Sequence, residues 1–386
     1  MDWTRDDRLV SDKDLATIFK YEPKTTTVAH NLGRDEVSGT LLSRRMYCHL
    51  LTCSPLKTLL ISTLEDHEWP RWLSERCPRL DGSASGLVII LARRSGEPPL
   101  KGLKMSRRRV EEWRKGLDDL EPARMRPERA MTLTKFNDMA APTGSGISTA
   151  GSRHALRTLP FSMATFQSIT ERFHTHGDIA RTVSRADVAS YSSTPVCMGE
   201  YLAYVTNCRT TNAWNMDLAL TCTYFPHCAL TFAIVFGCTV SVEEEILNRL
   251  SSISTVEATH PLVMPGIIAE LERLRHINAV EATIDELEAR IFELDFKPSN
   301  MDELASAEAG KKNNERRNAW LDTAYMSNQL VNWNTQLARM AACAVSLDNT
   351  VFKQKQDPTS QAKELQGVKV YGMTWRQNQV LNAAAN

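Results

Sequence analysis

Carboxylates crowd one stretch of this chain: between Glu243 and Glu308 there are fifteen acidic residues against five basic ones. Within it, Asp285, Glu286, Glu288 and Asp295 lie close together in a segment of helical pattern. Magnesium ions prefer a few carboxylates while keeping several of their own waters, so Glu and Asp side chains on adjacent helices can hold such an ion weakly. These four residues are the candidate metal ligands. The same residues also read as the solvated face of a helix, because charged faces usually are that. Sequence alone leaves both readings open.

Cys222, His227, Cys228 and Cys238 form the one Cys/His group dense enough to raise zinc. Structural zinc sites show short paired ligand spacings, which this group lacks. On alternating strand positions these cysteines read as small core hydrophobes instead. No motif singles out a nucleophile, a base and an orienting group, so the chain is not expected to be an enzyme. His174 and His176 flank Thr175 just before Gly177 and read as histidines near the negative pole of a helix end. Gly144-Ser145-Gly146 lacks the following Lys-Ser/Thr of a phosphate loop.

The elements that must position these groups follow from composition and periodicity. The chain has 386 residues, 24% charged and 42% hydrophobic, an ordinary globular balance. Lys+Arg and Asp+Glu both number 46. Lys101 to Arg129 carries ten basic residues, including Arg107-Arg108-Arg109, but six acidic residues interleave with them. That reads as a charged surface helix with scope for contact near a membrane, and nucleic acid is not an expected partner. The charged N-terminus does not read as a secretory signal. Nine cysteines without a regular framework fit free thiols in a reducing cytoplasm. Leu218 to Val242 has no Asp, Glu, Lys or Arg, yet Pro226-His227 breaks it and β-branched and aromatic residues fill it, so two buried strands are expected there rather than a spanning helix.

The expected fold class is α/β (α+β): a small buried sheet flanked by helices, followed by long paired, stalk-like helices. Residues 1–130 read as an irregular α/β region, with strands at Leu56–Ile61 and Leu87–Leu91 and a short helix within Asp66–Glu75. Residues 131–158 have linker composition. Residues 159–258 read as a sheet-and-helix domain. It starts with a helix from Phe161 to Arg185, capped by Ser162 and breakable at Gly177, and continues with strands at Tyr201–Asn207, Leu218–Tyr224 and Ala229–Phe236. Ser241 to Glu244 reads as a capping box. Residues 259–352 read as a helical hairpin. Its first arm carries an apolar stripe of Ile267, Leu271, Leu274, Ile277, Ile284, Leu287, Ile291 and Leu294, and its second arm covers Ala319 to Val351. The polar segment Met301 to Arg317 joins the arms, and residues 353–386 read as a disordered tail.

This order of elements resembles the cytosolic region of CorA-like divalent-cation (magnesium) transporters, in their divergent fungal branch. The resemblance rests on Ile179–Asp187, Leu230–Gly237, Pro261–Glu272 and Val280–Glu288, and spans about Phe161 to Phe352. It implies a homo-oligomer that senses Mg²⁺ through acidic residues. The family's Gly-Met-Asn motif is replaced by Gly372-Met373-Thr374, and apolar helices to flank it are missing from the sequence. The expectation is therefore a cytoplasmic, CorA-like domain lacking a pore, with a cation-sensing or scaffolding role, weakly bound Mg²⁺ and no other cofactor. A soluble helical interaction module without metal function is the alternative.

Overall fold

The computed structural model describes residues 9–23, 27–33, 60–64, 66–75, 77–82, 85–94, 155–184, 188–211, 217–251, 253, 255–258, 260–295 and 305–352. In chain order the elements begin with α1 (Asp12–Ile18), β1 (Lys20–Tyr21), β2 (Thr27–Gly33), β3 (Leu60–Leu64), α2 (Trp69–Glu75) and β4 (Gly86–Arg93). They continue with β5 (Thr158–Leu159), α3 (Met163–Arg172), α4 (Asp178–Ser184), β6 (Ser190–Met198), β7 (Tyr201–Arg209), β8 (Ala219–Phe225) and β9 (Leu230–Cys238). Last come α5 (Val240–Ser251), α6 (Thr255–Ala258), α7 (Val263–Asp295) and α8 (Ala305–Leu347). The charged segment Lys101–Arg129 and the Gly372-Met373-Thr374 sequence lie outside the described residues.

A mixed sheet in the order β3-β2-β4-β9-β8-β7-β6 organises the fold. Only β4 and β9 pair in parallel, from Gly86↔Leu230 to Ala92↔Phe236; the other neighbours are antiparallel. The sheet therefore joins strands from before and after the segment 131–158. The described side chains of β4, β8 and β9 are buried along their whole length, which happens when helices cover both faces of a sheet. Their residues alternate between two cores. Val88, Ile90, Phe232, Ile234 and Phe236 face α1 to α4 through Leu15, Trp69, Phe166, Phe173 and Ile179. Leu87, Ile89, Leu91, Ala233 and Val235 face the opposite way, against Ile246, Leu247 and Leu250 of α5 and Met264, Ile267 and Ile268 of α7. The uncharged stretch Leu218–Val242 is thus the β8–β9 hairpin running into α5, and no described helix is long and apolar enough to cross a membrane.

Several expectations need correction. The sequence suggests no strand between the helix ending at Arg185 and Tyr201, yet Ser190–Met198 forms β6 and pairs along its length with β7. Its polar run Ser192-Ser193-Thr194-Pro195 hides it, because edge strands carry polar residues and proline that central strands avoid. Of the strand expected at Leu56–Ile61, Leu60 and Ile61 belong to β3, which continues to Leu64, and residues 56–59 lie outside the described residues. The cap of α5 is Thr239, whose Oγ1 accepts from the Val242 N–H at 3.3 Å; Ser241 already lies inside the helix. The second long helix starts at Ala305, so much of the polar connector Met301–Arg317 is helical. The Ser162 cap and the break around Gly177 stand as read, with Ser162 Oγ accepting from Thr165 N–H at 3.2 Å.

Candidate functional site

Helix α7 divides into a clamped base and an outward half. At the base its inward face runs Ile268, Glu272, His276 and Ala279, all buried at three- and four-residue steps. Glu272 is a carboxylate inside the protein. Arg275 Nη2 donates to its Oε1 at 2.8 Å, Arg275 Nε lies 2.7 Å from Oε2, and His276 Nε2 lies 3.1 Å from Oε1. Burial pushes the Glu272 carboxyl up, but Arg275 and His276 outweigh it and hold it below the usual carboxylate range.

The same cluster reaches the sheet and α8. Arg275 Nη2 donates to the Thr211 carbonyl at 2.7 Å, and Thr211 Oγ1 donates to Gln329 Oε1 at 2.9 Å. One turn and two turns on, Asn332 Nδ2 donates to the Ala189 carbonyl at 3.2 Å and Gln336 Oε1 accepts from the Tyr191 N–H at 3.1 Å. These two bonds satisfy backbone groups at the start of edge strand β6, so α8 covers the place where that edge is open. His276 meets Trp333 edge-to-face at 5.9 Å, and Thr283 Oγ1 lies 3.7 Å from Met326 Sδ. Moving down α7 from 276 to 283 means moving up α8 from 333 to 326, so the two helices run antiparallel where they touch.

Beyond this base the acidic half of α7 is turned outward. Asp285 and Glu288 are exposed on α7, and the side chains of Glu286 and Asp295 lie outside the described residues. Glu281, not among the four sequence candidates, is also exposed. Glu281, Asp285 and Glu288 stand at i, i+4 and i+7, which places the three carboxylates on one side of the helix. That spacing was available in the sequence. No group of three or more His, Cys, Asp or Glu residues poised to hold a metal occurs among the described residues. The expected apolar stripe divides as well. Ile267 is buried against the sheet, whereas Leu274, Ile277 and Ile284 are 38%, 38% and 48% exposed.

The remaining sequence candidates disperse. Cys222 and Cys238 lie in the core facing α5 and α7, Cys228 lies in the core on the other side of the sheet, and His227 is exposed, stacked on Tyr201 with ring centroids 4.3 Å apart. They cannot share one ion; the thiols fill cores. His174 and His176 do not share a helix end. His174 follows α3 in the left-handed conformation (φ 50°), with its ring edge-on to Phe225 at 5.2 Å. His176 lies two residues before α4, where its Nδ1 accepts from the Asp178 N–H at 3.3 Å, so it sits at a positive pole rather than a negative one.

A second charged cluster lies at the end of the sheet where β4 and β9 finish. Asp217 receives Arg94 Nη2 on Oδ1 and Arg209 Nη2 on Oδ2, both at 2.7 Å. Arg209 Nη1 donates to the Val183 carbonyl at 2.7 Å and Arg157 Nη2 to the Ser184 carbonyl at 3.0 Å. Arginines thus close the carbonyl end of α4, where a helix favours positive charge. The cluster is a structural knot between α4, β4, β7 and β8.

Comparison with protein-family models, with curated proteins and with solved structures gave no match for this chain.

Proposed function

We propose that this chain is a non-enzymatic, CorA-like cytosolic domain that senses divalent cations through the outward carboxylates of α7. The observation that carries the reading is the placement of Glu281, Asp285 and Glu288 on one exposed side of a helix whose base is fixed by the Glu272–Arg275–His276 cluster. A rigid base with a row of carboxylates beyond it suits Mg²⁺, which keeps its waters and binds through one or two carboxylates at a time. The order of a mixed sheet covered on both faces, then two long helices in antiparallel contact, supports the same kinship by fold-level analogy. In this reading α7 and α8 form the stalk-like pair, Asp285, Glu286, Glu288 and Asp295 remain the candidate ligands with Glu281 added, and the domain works as a homo-oligomer beside a membrane.

Thermal melts with and without millimolar Mg²⁺ test the reading. Ligand at tenfold its Kd stabilises by about 1.4 kcal/mol, which raises Tm by roughly 1–2 °C per kcal/mol in a chain of 386 residues. The rise should vanish in Glu281→Gln/Asp285→Asn/Glu288→Gln. A wild-type melt indifferent to Mg²⁺ would overturn the proposal. One observation favours a helical interaction module instead: Leu274, Ile277 and Ile284 face outward from the same helix.

A further inference from the structure

Arg94, Arg157 and Arg209 gather at the end of the sheet where β4, β7 and β9 all finish, and anions match them unequally. Among the described residues Asp217 is the one carboxylate paired with them, through Arg94 and Arg209; Arg157 donates to the Ser184 carbonyl at the end of α4. Asp217 and the half charge of a helix C-terminus leave about +1.5 of the three guanidinium charges uncompensated. Burial lowers the Arg209 pKa from its usual range, Asp217 draws it back up, and the charges of Arg94 and Arg157 lower it again. The buried Nε of each of the three has no hydrogen-bond partner among the described residues. Arg93, one residue before Arg94, shows the contrast: it faces the other side of the sheet, where Glu243 matches it fork to fork.

The place suits a ligand. Strands β4 and β9 are parallel neighbours, yet the next described helices after β4, α3 and α4, lie on one face of the sheet, and α5 after β9 lies on the other. Where neighbouring strands diverge in this way, open α/β sheets bind ligands at the carboxyl ends. A bulge at Gly237, between the pairs Ala92↔Phe236 and Arg93↔Cys238, leaves room for Arg94 to cross: a Cβ there would lie 3.5 Å from Arg94 Nη2. Arg94 and Arg157 are only partly buried, so both reach the surface.

We propose that Arg94 and Arg157, backed by Arg209, bind the phosphate of a phosphate monoester at the carboxyl end of β4 and β9. A guanidinium fork matches a pair of phosphate oxygens in shape and charge. A phosphate monoester carries roughly −1.5 to −2 at neutral pH, which answers the excess of the cluster, whereas a carboxylate leaves part of it unmet. Helix α7 and divalent cations take no part in the contact.

Isothermal titration calorimetry of the full chain with methyl phosphate, in EDTA at fixed ionic strength, tests it. The wild type should take up methyl phosphate saturably, with a single site, and acetate far more weakly. Arg157 is the position to change, because its bond to the Ser184 carbonyl leaves the pairs on Asp217 untouched. Arg157→Gln should abolish uptake, and Arg157→Lys, which keeps the charge but loses the fork, should weaken it about tenfold. Circular dichroism checks folding; should Arg157→Gln misfold, Arg157→Lys still decides. Co-sedimentation with phosphatidylcholine vesicles, with and without phosphatidic acid, separates the sources of the ester: capture by phosphatidic acid assigns a lipid headgroup, and uptake of methyl phosphate without capture assigns a soluble ester. A wild type that takes up no methyl phosphate, a folded Arg157 variant that binds as the wild type does, or acetate bound as tightly as methyl phosphate would each overturn the proposal.

Discussion

Arg93, the last residue of β4, and Glu243, in the first turn of α5, form a two-pronged ion pair with Nε–Oε1 and Nη2–Oε2 both at 2.7 Å, and neither side chain is exposed to solvent. Although 150 positions separate them in the chain, they join the parallel β4–β9 pair to the helix that leaves it. Both charges are out of water, so each depends on the other. Glu243→Gln should therefore destabilise the fold by about 3–5 kcal/mol, the usual cost of breaking a buried pair from one side. Replacing both, as Arg93→Met/Glu243→Leu, should cost less than either single change. Urea unfolding monitored by circular dichroism measures the difference.

His174 gives the fold a defined pH response. Burial of its ring, with a smaller push from the Arg172 guanidinium, lowers its pKa below the ordinary value near 6.5. The unfolded chain then binds the proton more readily than the folded one, so protonation favours unfolding. The contribution of His174 is present above about 6.5 and is lost as pH falls through the lower, folded value. Stability should decline on acidification from pH 7 to pH 5, and His174→Asn, which tolerates the left-handed backbone, should flatten that decline. Melts of both proteins across this range check it.

Gly237 has φ 84°, and a Cβ there would lie 2.1 Å from Leu156 Cδ2 and 2.9 Å from the Asp217 carbonyl oxygen. Gly237→Ala adds both backbone strain and overpacking, each of order 1–3 kcal/mol. A loss of roughly 2–5 kcal/mol is expected by urea titration. Gly82, also at positive φ (80°) but with open space around it, should lose less when changed to Ala.

The thiols should separate sharply by reactivity. Burial pushes Cys77 and Cys208 up to about 12 and Cys222 well above its ordinary value, while Cys197 is exposed on β6. Thiolates are the reactive form, so brief alkylation at pH 8 followed by peptide mass spectrometry should find Cys197 labelled and those three spared until the chain is unfolded. Early labelling of Cys208 or Cys222 would contradict the packing described.

Much of the central sheet was legible because burial on both faces writes itself into sequence as unbroken apolar runs. Leu87–Leu91 and the two halves of Leu218–Val242 are of this kind, and the helix signals at Ser162 and Gly177 are purely local. What escaped had a non-local cause. Strand β6 earns its pairing from β7 and its cover from Asn332 and Gln336, so its own polar sequence gives no strand signal. Thr239 caps α5 in place of Ser241, and Glu243 in its first turn is held by Arg93, a partner no local motif reveals. Helix α7 was found, but its phase was misjudged. Periodicity favoured the row through Leu274, Ile277 and Ile284, whereas the side that packs is built around a buried carboxylate, and its charge is tolerable only because Arg275 and His276 stand one turn away.

The central claim is that divalent cations meet this protein on the outer side of α7, and paramagnetic Mn²⁺ tests it most directly. Titrated into isotope-labelled protein as a stand-in for Mg²⁺, it should broaden amide signals around Glu281 to Glu288 first, saturably, and Mg²⁺ should reverse the effect. Broadening that never saturates, or that centres elsewhere on the protein, would contradict the account.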